Sequence, residues 1–397
     1  MNFEEMKRRL DGLAVFRELL KDVAVAAFRE LLQDCCRNDA DNFVSHCGEF
    51  ESLLFQQSDC WTAYLRRAVM ESENVCIRNW ASGAVTAVQE ECLNRELAFL
   101  DRLSQVTLDD LTAGLDHAPD FLVGWRTGGG SIAQDYRQRM QEVGEKGYGI
   151  FARYHMFTVE NGQLVPVKHP DPQQLEQLPG YEQERQKVIA NTQALLDGKP
   201  ANNVLLYGDA GTGKSSAIKA IANNFAEQGL RLVEVKKNQL YQIPDLMDAL
   251  AANPLKFILF IDDLSFTSND DNFAALKAIL EGSVGGRAQN IAVYATSNRR
   301  HLIKETMTDR SGDDIHESDT RQELMSLSAR FGLTVTFASP DRDRYLYIVG
   351  ELAKQYGVDL DEHTLAVRSE AFAIRMGGRS ARVAKQFIEL CKSGVQV

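Results

Sequence analysis

LLYGDAGTGKSS, residues 205–216, is an apolar run followed by a glycine-rich turn, a lysine and two serines. It contains the pattern GxxxxGK[ST], with a predicted strand before it and a predicted helix after it. Backbone N–H groups of such a loop form an anion site at a helix N-terminus. The lysine neutralises the β- and γ-phosphates of a nucleoside triphosphate, and the next hydroxyl ligates Mg²⁺. Lys214 and Ser215 take these roles, and the predicted nucleotide-binding residues are Gly208, Asp209, Ala210, Gly211, Thr212, Gly213, Lys214, Ser215 and Ser216.

A second motif, FILFIDD at residues 257–263, predicts the acidic half of the same site. Its apolar residues indicate a buried central strand, and two carboxylates follow at the strand's carboxyl end. Asp262 is placed to bind Mg²⁺, and Asp263 stands where a carboxylate would polarise the attacking water. The alternative is a pair of solvated acids at a strand end.

The pattern around these motifs predicts an α/β fold. Apolar runs such as NVLLY, RLVEV, KFILFI, IAVYAT and GLTVTF alternate with helical segments. Strands separated by helices form a parallel sheet that is covered on both faces. We therefore predict a P-loop nucleotide-binding core at residues 177–340 and a helical lid at 341–397.

The region before this core has a different pattern. Apolar residues recur at three- and four-residue steps from Phe3 to Leu13, and strand-like runs are few up to about residue 145. This predicts an N-terminal all-α domain at residues 1–145. Two β-like runs around Asn161 and Gly162 predict a hairpin, and HPDPQQLEQLPG follows. We expect residues 146–176 to form this hairpin and a linker.

Composition narrows the function classes. The net charge of −12 counts against a broad nucleic-acid-binding surface. No stretch approaches the roughly 20 apolar residues that span a bilayer, and charges interrupt the N-terminus too often for a signal peptide. We expect a cytoplasmic protein that does not bind membranes. Six of the seven cysteines lie between Cys35 and Cys92 without a CxxC pair, which favours reduced core thiols over zinc ligands.

The block from about Leu178 to Gly394 resembles an AAA+ ATPase module. More narrowly, it is similar to the bacterial AAA-type family catalogued as domain of unknown function 815. The stretches that carry the resemblance are LPGYEQERQKVIANT, NNVLLYGDAGTGKSSAIKA, LFIDDLSF, VYATSNRRHL, SLSARFG and GGRSARVAKQF. The resemblance covers a little over half of the chain.

The resemblance implies roles for further residues. Asn298 in ATSN resembles the sensor 1 residue, which positions water near the γ-phosphate; a turn asparagine is the alternative. Arg330 in SARFG resembles the arginine finger that enters a neighbouring subunit's site. Arg382 resembles the sensor 2 arginine of the lid, with Arg379 as a competitor. Backbone contacts to the adenine are implied near Tyr181 and Glu182.

Two departures from the AAA+ pattern affect the expected activity. The usual Asp-Glu pair is Asp262-Asp263 here, and the shorter carboxylate predicts slow turnover. No aromatic–hydrophobic–glycine pore loop follows RLVEV, and Tyr241 fits a helix-entry residue better. The missing pore loop weighs against a protein unfoldase.

Three functions remain open at this stage. The leading one is an ATPase that uses ATP and Mg²⁺ to control assembly and partner remodelling through its N-terminal helical domain. The second is an ATPase that loads or remodels nucleic acid, for which RRHLIK at 299–304 supplies a small basic cluster. The third is a nucleotide-binding scaffold with negligible hydrolysis. The resemblance also implies a homo-oligomeric ring or arc and an unidentified protein partner.

Overall fold

The computed structural model describes residues 2–117, 121–265, 272–281, 288–298 and 329–395. The chain divides into two compact units, Met1–Arg153 and Tyr154–Val397. No helix in these ranges combines the length and the apolar character that crossing a membrane requires.

The first unit is helical, as the sequence predicts. Its described residues form α1 (Phe3–Asp11), α2 (Val23–Arg37), α3 (Ala40–Phe55), α4 (Trp61–Glu71), α5 (Val75–Trp80), α6 (Ala87–Leu103), α7 (Leu108–Thr112), α8 (Ile132–Gln141), α9 (Val143–Lys146) and α10 (Ile150–Arg153).

An aromatic cluster fills the core of this unit. The rings of Phe28 and Trp61 stack with centroids 4.8 Å apart, and Phe50 packs edge-on to Trp61 and Trp125. The indole Nε1 of Trp61 donates to the backbone oxygen of Leu103 at 3.0 Å, so the one polar group of this buried ring has a hydrogen-bond acceptor. Burial of these large rings therefore organises the helices around one hydrophobic core.

The second unit is built on a seven-stranded sheet. Its strands are β1 (Met156–Glu160), β2 (Gln163–Pro166), β3 (Val204–Gly208), β4 (Leu230–Glu234), β5 (Lys256–Ile261), β6 (Ile291–Ser297) and β7 (Leu333–Phe337). The order across the sheet is β2-β1-β4-β5-β6-β3-β7. Among the strands that the structure describes, only the β1–β2 pair is antiparallel, and the other pairs are parallel.

The hairpin does not form a segment of its own between the two units, as the expected domain boundaries had it. The sequence placed residues 146–176 in a separate hairpin and linker, whereas β1 pairs with β4 and extends the sheet of the second unit. The pairing Phe157↔Val233 satisfies backbone groups at an edge that β4 would otherwise leave open. Residues 146–153 belong to the helical unit instead.

Helices surround the sheet and follow it. They are α11 (Glu182–Leu196), α12 (Lys214–Asn224), α13 (Ile243–Ala251), α14 (Asn272–Glu281), α15 (Arg342–Tyr356), α16 (Glu362–Arg375) and α17 (Ala381–Lys392). The last three form the predicted lid, in which Phe372 of α16 packs against Phe387 of α17. The fold class predicted from the sequence is confirmed: a parallel P-loop core with a C-terminal helical lid and an N-terminal all-α domain.

The strand order explains where a site can form. Strand β6 lies between β5 and β3, with the pairings Ile261↔Ala295 and Leu206↔Thr296. The three strands are parallel, so their carboxyl ends meet at one edge of the sheet. The glycine-rich loop, the paired aspartates and Asn298 follow these three ends, and ligands of open α/β sheets bind at that edge.

Candidate functional site

The glycine-rich loop is held against the last strand. Gly208 has a φ of 140°, and a Cβ there would lie 2.0 Å from the backbone oxygen of Phe337. Only glycine fits this contact. Helix α12 then begins at Lys214, so the loop ends on a helix N-terminus, as the motif predicts.

Lys214 is buried, with 6% of its surface exposed. Its Nζ donates to the backbone oxygens of Gly208 and Asp209 at 2.8 and 2.7 Å, and to Oδ1 of Asn298 at 3.0 Å. Burial lowers the pKa of this ammonium, although the carboxylates of Asp209, Asp263 and Asp262 oppose the shift. A polyanion in the loop would compensate the buried positive charge.

Ser215 and Asp262 meet where a cation would lie. The Ser215 hydroxyl donates to Oδ1 of Asp262 at 2.6 Å, and the hydroxyl of Thr296 donates to the same oxygen. Hydroxyl and carboxylate oxygens are the ligands that Mg²⁺ prefers, so the two predicted metal ligands fit this ion. Thr296 was not predicted; only its position on the neighbouring strand, two residues before Asn298, could have indicated it.

Asp263 and Asn298 also contact each other. Nδ2 of Asn298 donates to Oδ1 of Asp263 at 2.8 Å, while its Oδ1 accepts from Lys214. The N–H of Asp263 is held by the Thr296 hydroxyl at 2.9 Å. These contacts fix the orientation of the Asn298 amide and join the lysine, the amide and the second carboxylate into one hydrogen-bonded chain.

A cavity of about 570 Å³ opens over these groups. The loop residues from Ala210 to Ser216 line one end, together with Asp262, Asp263 and Asn298. The apolar part of the lining comes from Leu178, Pro179, Ala381 and the lid residues Ile348 and Leu352. The cavity therefore offers a charged end for phosphates and apolar walls for a nucleoside.

Tyr181 lines this cavity, whereas Glu182 does not. The Tyr181 backbone is in the left-handed region, with a φ of 61°, and its ring stacks on Phe337 with centroids 5.3 Å apart. Oε1 of Glu182 instead accepts from the N–H of Gly180 at 2.6 Å. Further lining residues that the sequence did not single out are Gln173, Gln177, Arg185 and Lys385.

The two candidate lid arginines differ in their surroundings. Arg382 lines the cavity, and its backbone N–H donates to the oxygen of Gly211 at 3.0 Å. Arg379 forms two hydrogen bonds to the Glu370 carboxylate, at 2.9 and 2.6 Å, and does not line the cavity. Of the two candidates, Arg382 is therefore the lid arginine that faces the cavity.

Arg330 is the arginine that the resemblance assigns to a neighbouring subunit's site. It is half-buried in the turn before Phe331, at the start of the segment that leads into β7. It is absent from the described residues that line the cavity. The basic cluster RRHLIK at 299–304 lies outside the described residues.

The chain is similar to one protein family and to several solved structures. Residues 151–395 match the family described as "Protein of unknown function (DUF815)", whereas no curated protein matches the sequence. Similar solved structures include the RuvB Holliday junction branch migration motor of Thermotoga maritima, at 17% identity and a TM-score of 0.34, covering 55% of this chain and 71% of that chain. The FIGL-1 AAA domain in complex with ADP is another, at 17% identity and a TM-score of 0.38, covering 55% and 72%. Because the family match spans more than half of the sequence, this chain belongs to the family described as "Protein of unknown function (DUF815)".

Proposed function

We propose that this protein binds ATP with Mg²⁺ and hydrolyses it to ADP and phosphate. The observation that carries the proposal is the hydrogen-bonded chain Lys214–Asn298–Asp263 at the mouth of the glycine-rich loop. A phosphate-binding lysine, an orienting amide and a carboxylate that can accept a proton lie next to one another. Binding alone would not require the third group.

The roles follow from these positions. The loop N–H groups and Lys214 hold the phosphates, and Asn298 and Asp263 orient the attacking water. Asp263 accepts the hydrogen bond of that water and, as the bond to the leaving oxygen breaks, its proton. Ser215 and Asp262 hold Mg²⁺, which neutralises charge on the phosphates when bound. Arg382 faces the nucleotide from the lid.

The apolar walls fit the nucleoside. Ile348 and Leu352 of α15, with Leu178 and Pro179, offer apolar surface for a base and ribose. The backbone from residue 178 to 181 lies beside them and supplies polar groups for the edge of the base. We propose adenine as the base because Tyr181 and Glu182 fall where the sequence resembles the adenine-side segment of AAA+ proteins.

We further propose that nucleotide state controls assembly and partner engagement. Arg330 does not line the cavity of its own chain, which is consistent with a role in the site of a neighbouring copy. An arginine supplied from outside can accelerate phosphoryl transfer by several orders of magnitude. The N-terminal helical unit is then available to bind a protein partner.

Two measurements on the purified full chain test the core of this proposal. Isothermal titration with ATP and Mg²⁺ should give one site per chain, and steady-state phosphate release should depend on Mg²⁺. Binding without any phosphate release would contradict hydrolysis and support a nucleotide-binding scaffold. A lack of binding at millimolar ATP would overturn the proposal.

A further inference from the structure

The glycine-rich loop, which we propose to bind the phosphates, contains an acidic residue. Asp209 follows Gly208 directly, and a carboxylate beside the phosphate-binding loop would repel a bound polyanion. The structure shows that Asp209 does not line the cavity. Its Oδ2 accepts instead from the backbone N–H of Ser339 at 2.8 Å. The carboxylate therefore does not face the cavity and instead contacts a segment from another part of the chain.

That segment, residues 338–341, joins the last strand of the core to the lid, and we call it the strap. It begins directly after Phe337 of β7 and ends at Asp341, whose carboxylate caps α15 by accepting from the N–H of Arg344 at 2.8 Å. The Ser339 hydroxyl donates to the backbone oxygen of Arg379 at 3.2 Å. The strap thus contacts both the start of the lid and the connection between α16 and α17.

The nucleoside side of the cavity holds the strap as well. The hydroxyl of Tyr181, whose side chain is buried, donates to the backbone oxygen of Ala338 at 2.6 Å. The guanidinium of Arg344 lies 4.8 Å from the centre of the Tyr181 ring. Asp209 of the glycine-rich loop and Tyr181 of the cavity lining therefore hold adjacent residues of the strap.

The position of the strap matters because the lid carries Arg382. The N–H of Arg382 reaches the loop at Gly211, and a Cβ on Gly211 would lie 3.0 Å from the Ser380 hydroxyl and 3.1 Å from the Arg382 Cβ. The lid therefore rests directly on the loop that Asp209 belongs to. The strap, through Ser339, and the loop, through Gly211, therefore both contact residues 379–382 of the lid.

We infer that Asp209 is a positioning residue that couples occupancy of the glycine-rich loop to the orientation of the lid through the Ser339 N–H. The inference rests on the proposed function. A bound phosphate repels the carboxylate and keeps it on the strap, so the lid is held with Arg382 over the loop when nucleotide is present. Asp209 itself touches neither substrate nor metal.

The test compares Asp209→Ala with Asp209→Asn in the full chain. Both variants remove the negative charge, so both should bind ATP at least as tightly as the wild type, but only asparagine keeps an acceptor for the Ser339 N–H. We expect kcat of Asp209→Ala to be at least about five-fold below that of Asp209→Asn, with Kd values within about three-fold of each other. Asp343→Ala, which removes an exposed carboxylate on α15, is the matched control.

Hydrogen exchange of residues 381–392, with and without a slowly hydrolysed ATP analogue, reports the lid directly. The wild type, Asp209→Asn and the Asp343→Ala control should gain protection on binding, and Asp209→Ala should lose at least half of that gain. Equal kcat and equal exchange in the two Asp209 variants would overturn the coupling while the proposed ATPase stands. If the wild type binds no nucleotide, the proposed function and this inference fall together.

Discussion

At the scale of single residues, the backbone of Asp263 explains why an aspartate stands at the second acidic position. Its φ is 49°, in the left-handed region. Aspartate and asparagine are the non-glycine residues that adopt this region most readily, because their short side chains hydrogen-bond locally. Here the amide of Asn298 holds the carboxylate at 2.8 Å. The conformation therefore favours the short carboxylate in place of the longer glutamate.

Asp263→Asn should separate hydrolysis from binding. The variant keeps the shape of the site, but an amide cannot accept the proton of the attacking water. We expect kcat to fall by about two orders of magnitude, with the Kd for ATP changing by less than about three-fold. Phosphate release and calorimetry measure the two quantities. Unchanged turnover would show that a different group serves as the base.

Lys214→Ala should remove nucleotide binding without unfolding the protein. The ammonium is held by the backbone oxygens of Gly208 and Asp209 and by Asn298, so the loss of Lys214 removes the positive charge at the loop. We expect the Kd for ATP to rise at least about 100-fold, or about 2.7 kcal/mol. Lys219→Ala is the matched control, since that lysine lies on the same helix and pairs with Glu234 at 3.4 Å. A Lys214→Ala protein that binds within about tenfold of the wild type would refute the phosphate-loop assignment.

At the scale of elements, Glu96 of α6 holds the turn after α1. Its carboxylate is 8% exposed and accepts from the N–H groups of Ala14, Val15 and Phe16 at 2.7, 3.1 and 2.9 Å. Glu96→Gln would replace one of the two accepting oxygens with an NH2 group that faces an N–H donor, and we expect a loss of about 3 kcal/mol in the free energy of unfolding. Urea unfolding followed by tryptophan fluorescence reports this unit alone, because all three tryptophans lie in it.

The control for that measurement is Glu91→Ala on the same helix. Glu91 forms an exposed ion pair with Arg95, so its removal should cost no more than about 0.5 kcal/mol. Equal losses in the two variants would mean that the buried carboxylate does not stabilise the turn.

The contact between α2 and α3 should depend on pH. Nδ1 of His46 lies 2.6 Å from Oδ2 of the buried Asp34. This hydrogen bond raises the pKa of His46 above its ordinary value of 6.5. A raised pKa in the folded state stabilises the protein fully below pH 6.5, and the contribution is lost as the pH rises through the raised value.

His46→Gln keeps a donor for Asp34 but cannot become charged. The difference in unfolding free energy between the wild type and this variant should therefore be largest near about pH 5.5 and shrink above about pH 8. Urea titrations at several pH values, again followed by tryptophan fluorescence, measure it. A difference that is flat across this range would rule out the ion pair.

At the scale of the whole molecule, the proposed assembly makes a prediction about mixtures. Arg330→Ala should bind ATP normally and hydrolyse it poorly, because the site of the neighbouring copy would lack its arginine. Mixed with inactive Lys214→Ala, it should regain partial activity, since some interfaces then pair an intact loop with an intact Arg330. Phosphate release of the mixture against each variant alone measures the recovery.

The oligomeric state is the companion measurement. Light scattering at micromolar concentration should show at least dimers when ATP is present. Monomers under all conditions, together with no recovery in the mixture, would refute an arginine acting between copies.

The sequence by itself determined the elements and the chemistry that depend on neighbouring residues. A phosphate loop needs its glycines, lysine and serine within a few positions. The motif at residues 208–216 therefore predicts the loop without knowledge of the fold. Buried strands need contiguous apolar residues, so FILFI indicates β5 and places Asp262 and Asp263 after it. For the same local reason, helical spacing identified the first unit as all-α.

Only the tertiary structure decided which distant residues meet. Thr296 contacts Asp262 because β6 is inserted between β5 and β3, and pairing across a sheet depends on its order rather than on spacing along the chain. Arg382 lines the cavity, whereas Glu370 of another lid helix holds Arg379. The hairpin joined the sheet because β4 had an open edge. Each outcome depends on a long-range partner, which local sequence patterns do not encode.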